Sequence, residues 1–345
     1  MAMPGQRTDP ERRAGDLDAA SLVASIERLR AEISRRIIGQ QDAVHEVILC
    51  LLAGGHGLLE GVPGLAKTLL VRTLADALHL EFRRVQFTPD LMPGDITGTE
   101  VIEEERASGR RIPRFLEGPV FTNVLLADEI NRAPPKTQAA LLEAMEEGMV
   151  TAGGEDRLLP RPFFVLATEN PIEQEGTYPL PEAQLDRFLL QIAVVYPAES
   201  DEVRILRETT GPQPEPVDAV LDAEDVLALR EAVRDVPISE DMLSWAAALV
   251  RATRPREGTA PEEVEKWLRW GAGPRAGQAL VLCAKANALT DGRFHVAPED
   301  IHRVVLPVLR HRLLLNFQAE AEGVPVGSIV DAVLSAVRPP ASGLD

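Results

Sequence analysis

The stretch Leu58-Leu59-Glu60-Gly61-Val62-Pro63-Gly64-Leu65-Ala66-Lys67-Thr68 decides how the chain is organised. Apolar residues lead into a glycine- and proline-rich turn, and Lys67-Thr68 opens a run to Leu80 with helical periodicity. Strand, glycine loop and helix N-terminus in that order make an anion cradle. Loop N–H groups converge on the anion, and the positive end of the helix dipole lies beneath it. On this reading the segment Gly61, Val62, Pro63, Gly64, Leu65, Ala66, Lys67, Thr68 and Leu69 wraps the phosphates of a nucleotide. Lys67 reaches the outer phosphates and the Thr68 hydroxyl helps hold a magnesium ion. Ala66 stands where the pattern usually carries its second glycine, a place associated with positive φ or close ligand approach.

A second run, Leu125-Leu126-Ala127-Asp128-Glu129, ends in two acids. An acid at the tip of a buried parallel strand lies in the ligand crevice of such a sheet. Asp128 is expected to hold the magnesium and Glu129 to polarise the attacking water. Phe163 to Thr168 predicts the next strand, closed by Asn170, whose amide either orients that water or caps the turn before Pro171. Arg187 precedes a further strand, and Arg275 follows Gly271-Ala272-Gly273-Pro274 at a helix start. Each is able to neutralise charge in phosphoryl transfer or simply to pair with a surface carboxylate, and the residues alone leave both readings open.

Upstream, Leu22, Ile26, Leu29, Ile33 and Ile37 recur every three or four residues and predict an amphipathic helix from Ser21. A second helix carries Val44, Val47, Ile48, Leu51 and Leu52 until Gly54-Gly55 stops it. Residues 1–16 are polar and are expected to form a disordered tail. Glu81 to Phe87 predicts a strand, and Thr88 to Asp95 an irregular insertion. Ser108-Gly109 and Gly153-Gly154 centre two expected hairpins, Thr99 to Leu116 and Met149 to Leu159. Between them, Pro134-Pro135 starts a helix that Gly148 ends. Leu189 to Val195 supplies the last strand. Strands alternating with helices predict an α/β fold, a parallel sheet flanked by helices over residues 17–210. Gly211 to Pro216 contains three prolines and opens an exposed linker expected over 211–220. Residues 221–337 are expected to form a smaller all-helical domain with one small strand, Phe294 to Val296, before a short tail at 338–345.

Composition narrows the function classes. The 345 residues are 45% hydrophobic but only 4% aromatic, so two domains with an aliphatic core are within reach. No apolar run is long enough to span a bilayer and the N-terminus lacks a secretory h-region, so a cytoplasmic location without membrane insertion is expected. Cys50 and Cys283 sit among aliphatic residues as small hydrophobes, and the six histidines show no metal-ligand spacing. A net charge of −18 opposes a general nucleic-acid binder and favours protein partners.

From Ile37 to Arg312 the motifs resemble, in order, those of the MoxR family of AAA+ ATPases. That family's phosphate loop has the form Gly-Val-Pro-Gly-Leu-Ala-Lys-Thr, alanine included. Asn131-Arg132-Ala133-Pro134-Pro135-Lys136, Ala167-Thr168-Glu169-Asn170-Pro171 and Glu182-Ala183-Gln184-Leu185-Asp186-Arg187-Phe188 are similar to its later motifs. Gly271-Ala272-Gly273-Pro274-Arg275-Ala276 resembles its lid motif, with Gly273 where a serine is common. The resemblance implies an AAA+ P-loop NTPase core with a smaller all-helical C-terminal lid, and hydrolysis of ATP with Mg2+.

It also implies roles. Asn170 becomes the sensor-1 residue, Arg187 the arginine finger offered to the neighbouring subunit, and Arg275 the sensor-2 residue coupling the lid to the γ-phosphate of its own subunit. Ile38 and Gly39, in Ile37-Ile38-Gly39-Gln40, resemble the segment that packs near adenine. A finger acting in trans implies a ring, usually hexameric. The Thr88 to Thr97 insertion and the Met149 to Leu159 hairpin become candidate client-facing elements. Family members commonly act with proteins bearing von Willebrand factor A domains, in chaperone-like maturation of protein partners. An AAA+ motor acting on DNA is opposed by the acidic balance and the missing helix-turn-helix. A non-hydrolysing nucleotide-gated module is opposed by Asp128, Glu129 and Asn170 together, and no acceptor pocket for a small-molecule kinase is evident in the motifs.

Overall fold

Eleven strands appear among the described residues of the computed structural model, which are 19–104, 111–171, 176–212 and 215–340. In chain order they are β1 (Gly57–Glu60), β2 (Phe82–Gln86), β3 (Gly98–Glu104), β4 (Arg111–Glu117), β5 (Val124–Asp128), β6 (Met149–Ala152), β7 (Glu155–Leu158), β8 (Phe164–Glu169), β9 (Leu190–Ala193), β10 (Leu268–Trp270) and β11 (Leu314–Leu315). The expected N-terminal tail, the Ser108-Gly109 turn and the last five residues lie outside the described residues.

β2, β5, β8, β1 and β9 form one parallel sheet in that order. Its strands are nearly continuous apolar runs because both faces are covered. Successive side chains go to opposite sides, so Leu59, Leu126 and Leu166 join one core while Leu58, Leu125 and Val165 join the other. Helices Ala19–Ser34, Gln41–Leu52 and Lys67–Ala77 cover the first face, and Pro135–Glu147 covers the second. Left-handed Gly148 (φ 64°) stops that last helix where the sequence places its end. From β1 the chain crosses to β2 on one side, while from β8 it continues to β9 on the other. The crevice of an open α/β sheet lies at such a divergence, outside the C-terminal strand ends.

β3 pairs with β4 and β6 with β7, both antiparallel, and the Gly153-Gly154 turn joins the second pair as its residues predict. Beyond Pro197, helix Glu199–Thr209 leads to exposed Gly211 and Pro212, and Glu215 and Pro216 are exposed ahead of Val217. The chain is then tied back to the first helices. The Asp218 N–H donates to Glu32 at 2.9 Å and the Val220 N–H to the Ala77 carbonyl at 2.8 Å.

Seven helices follow, from Ala223–Asp235 to Val326–Ala336. Their buried residues, Val226, Leu249, Leu280, Ile301 and Val330 among them, belong to the same apolar cluster as the first face of the sheet. Helix Pro274–Thr290 packs directly on Gln41–Leu52, so the helical region is seated on the core.

The strand expected at Phe294 to Val296 does not form. Among the described residues no strand pairs with it. Val296 makes a single backbone bond to Pro237 (3.2 Å), and Arg293 is turned inward by ion pairs to buried Asp300 and to Asp291. The strand pair of this region is β10–β11 instead.

Candidate active site

Strand register brings the phosphate loop and the acids to one edge. Glu60 pairs with Glu169 across β1 and β8, and Gln86 pairs with Asp128 across β2 and β5. Gly61, Asp128-Glu129 and Asn170 therefore leave the C-terminal ends of neighbouring strands together. Gly61 is required by packing, since a Cβ there would stand 2.5 Å from the Val194 carbonyl oxygen. Gly64 meets the other need, a positive φ of 86°.

Ala66 also adopts a left-handed conformation, with φ 57° and ψ 23°, at a cost of about 1 kcal/mol. It turns the chain into helix Lys67–Ala77, whose first turn receives no side-chain cap, so those N–H groups are left for an anion. The Lys67 ammonium donates to the carbonyl of Gly61. Burial lowers its pKa, while Asp128, Glu129 and Glu60 oppose that shift with their negative charge.

The two acids are held differently. Asp128, 13% exposed, accepts from the Thr168 hydroxyl at 2.6 Å and from the Arg84 guanidinium at 2.6 and 3.0 Å. Glu129 adopts φ 56°, and its N–H donates to Thr168 Oγ1 at 2.8 Å. Its Oε2 accepts from Gln86 at 2.7 Å and from Arg132 at 2.9 Å. Thr168 thus ties both acids to β8, one residue pair ahead of buried Asn170.

Gln86 and Arg84 have no place in the motifs read from the sequence, and Arg132 and Thr168 stand in them without an assigned role. For Gln86 and Thr168 the available signal was a polar residue near the end of a predicted strand.

Among the described residues, no group of three or more His, Cys, Asp or Glu could hold a metal by protein ligands alone. One carboxylate and one hydroxyl at a phosphate loop, Asp128 and Thr68, is the donor set magnesium uses when phosphates and water complete its shell. Asp128 already attracts the Arg84 cation, which fits an ionised ligand. Beside the loop opens a largely apolar cavity of about 280 Å³, lined by Gly61, Val62, Leu65, Pro171, Val195 and Tyr196. Ile38 is buried. Gly39 abuts Pro197 and Asp201 so closely that a Cβ would lie 2.8–2.9 Å from them, and Gln40 donates to the Val195 carbonyl at 2.7 Å.

The two arginines are elsewhere. Arg187 precedes β9, at the N-terminal edge of the sheet, one strand length (about 15 Å) from the loop. It donates to the Leu142 carbonyl (2.8 Å) and pairs with Glu146 (3.0 Å), near the end of helix Pro135–Glu147. Arg275 pairs with the other oxygen of the same Glu146 carboxylate, at 2.7 Å. His56, just ahead of β1, binds the Met145 carbonyl and marks this as the same edge. Arg275 therefore does not lie beside the phosphate loop of its own chain, where the resemblance would place it. The seating of helix Pro274–Thr290 on Gln41–Leu52 carries Arg275 to the far edge, next to Arg187.

Comparison with known proteins agrees with this anatomy. Residues 56–190 match the model of the ATPase family associated with various cellular activities (AAA), and residues 261–333 match the AAA lid domain. A Mycobacterium tuberculosis protein described as chaperone MoxR1 is 42% identical over 339 residues, covering 98% of this chain and 88% of that one. Protein MoxR of Methylorubrum extorquens is 32% identical over 321 residues, covering 88% and 92%. A crystal structure of a Cytophaga hutchinsonii protein, provisionally described as an ATPase, superposes with a TM-score of 0.86 at 41% identity, covering 93% of this chain and 97% of that one.

Proposed function

Since this chain belongs to the MoxR family of AAA+ ATPases, we propose that it hydrolyses ATP with magnesium as one subunit of a ring, hexameric by family resemblance, and uses the cycle to remodel or mature protein partners. The observation that carries this reading is the division of the site. Phosphate loop, acids and Asn170 occupy one edge of the sheet, while Arg187 and Arg275 occupy the opposite edge. Neither edge is complete, and head-to-tail stacking of subunits would join one to the other.

In this mechanism the loop N–H groups and the uncapped helix N-terminus bind the phosphates, and the base enters the apolar cavity at Val195-Tyr196. Lys67 exchanges the Gly61 carbonyl for an outer phosphate. Thr68 and Asp128 would hold the magnesium ion, which supplies charge neutralisation between phosphate oxygens. Glu129 orients and deprotonates the water, with Asn170 beside it. Because Gln86 and Arg132 now occupy one of its oxygens, Glu129 must first be released from them. Arg187 and Arg275 of the adjacent subunit neutralise charge as the bond to the γ-phosphate breaks.

Two free, buried cysteines suit a cytoplasmic setting, and no helix is long and apolar enough to cross a membrane. The chaperone description of the mycobacterial relative supports protein clients. A von Willebrand factor A domain partner rests on family resemblance.

The test is steady-state phosphate release, followed against protein concentration. Specific activity is expected to rise as the ring assembles. Glu129→Gln is expected to lower turnover by two orders of magnitude or more while nucleotide affinity is retained. Activity independent of concentration, or a fully active Glu129→Gln variant, removes the proposal.

A further inference from the structure

We propose that Glu146 is a positioning residue that gathers Arg187 of the core and Arg275 of the lid into a single unit, presented to a phosphate of the adjacent subunit's nucleotide. This rests on the reading in which both arginines act in trans.

Glu146 divides its carboxylate between them. Oε2 lies 3.0 Å from the Arg187 guanidinium and Oε1 lies 2.7 Å from that of Arg275. Arg187 has a second anchor, the Leu142 carbonyl one turn earlier on the same helix, so residues at i and i+4 form one rack. The rack stands at the C-terminal end of helix Pro135–Glu147, where the negative pole of the dipole favours cations. That end is itself fixed to the sheet, because His56 Nε2 binds the Met145 carbonyl while its Nδ1 accepts from the Val165 N–H.

The two guanidiniums come from segments far apart in the chain and would repel each other without a carboxylate between them. With it, they are held together before any phosphate arrives, which is the preorganisation that charge stabilisation in a transition state requires. The group is also reachable. Arg187, Glu146 and Arg275 are 31%, 39% and 48% exposed, beside an open cavity of about 210 Å³.

The neighbouring residue strengthens the case. Asp186 is bound by buried Arg312, whose Nε donates to it at 2.7 Å. Two successive residues of the finger segment are thus tied to the helical region, Asp186 directly and Arg187 through Glu146. A shift of the lid therefore moves the finger, and Glu146 is the joint through which Arg275 takes part.

Glu146→Gln and Glu146→Asp separate positioning from mere packing. Gln keeps the size but offers one accepting oxygen in place of two, so one arginine loses its partner. Asp keeps both acceptors on a shorter stem. In assembled protein, Glu146→Gln is expected to lower kcat roughly ten- to a hundredfold with KM for ATP nearly unchanged. Glu146→Asp should restore most of the loss. Adding Glu146→Gln to an Arg187→Ala, Arg275→Ala variant should cost little more.

Arg187→Ala in the same assay keeps the two readings apart. If it is silent, the trans reading itself fails. If it abolishes turnover while Glu146→Gln has wild-type kcat, the trans reading stands and the positioning role is overturned. A faster Glu146→Gln enzyme would make the carboxylate a restraint, and a loss recovered at higher protein concentration would make it an assembly contact. Either outcome also overturns the proposal.

Discussion

The two edges of the parallel sheet are built on opposite plans. At the C-terminal edge, polar residues are neighbours by strand register, as Gln86 and Asp128 are, and the phosphate loop is a single uninterrupted segment. At the N-terminal edge, the working groups come from three places, Glu146, Arg187 and Arg275, and meet only because the helical region is seated where it is. The first edge carries the whole phosphate loop with both acids and Asn170. The second gathers two guanidiniums on the Glu146 carboxylate, away from the phosphate loop of its own chain. On the proposed reading, one fold carries two half-sites, and its chemistry is shared between stacked copies.

The strongest way to break this comparison is to divide the edges between different subunits. Lys67→Ala spoils only the loop edge, and Arg187→Ala only the arginine edge. Each alone is expected to lower turnover about a thousandfold. Mixed, they should recover measurable activity, because an intact loop then meets an intact arginine from its neighbour. If phosphate release from the mixture is no greater than the sum of the two variants, both edges serve the same chain.

The edges also differ in how burial acts on their titratable groups. Burial, and secondarily the charge of Glu60, raise Glu169 at the loop edge from 4.5 to about 7. Burial lowers His56 at the other edge from 6.5 to about 4, in a neutral form that both its hydrogen bonds require. Folded Glu169 thus holds its proton longer than the unfolded chain does. Its contribution is intact below pH 4.5 and is lost as pH rises through 7. For His56 the sign reverses, with the contribution full above pH 6.5 and lost as pH falls toward 4. Glu169→Gln, which mimics the protonated acid, should therefore gain up to about 3 kcal/mol over wild type at pH 8 and nothing at pH 4.5. Thermal melting at the two pH values measures it. An equal gain at both would show that ionisation of Glu169 is not what burial penalises.

The smallest effect sharpens the arginine edge alone. Gly273 is the N-cap of the helix that carries Arg275, with extended backbone and open space around its missing Cβ. Gly273→Ser should add a cap worth a few tenths of a kcal/mol, seen as a slightly raised melting temperature with ATPase activity unchanged. A fall in activity would mean that the open space itself is used when the subunit is docked on its neighbour.

What the sequence determined by itself was everything whose physics is local. The phosphate loop, the acids at strand tips, the Gly148 stop and the Gly153-Gly154 hairpin follow from turn chemistry and hydrophobic period, which act over a few residues. Even the alanine of the loop was legible, and its φ of 57° shows the conformation that glycine would have served. The partners of those residues were not legible. Gln86 reaches Glu129 only through strand order, and Phe294 to Val296 stayed a loop because no strand came to lie beside it.

The edge on which Arg275 stands was decided by tertiary structure alone. A guanidinium at a helix start carries the same local signal wherever that helix docks. Its docking depends on apolar burial summed over the whole core, a quantity that no single segment contains.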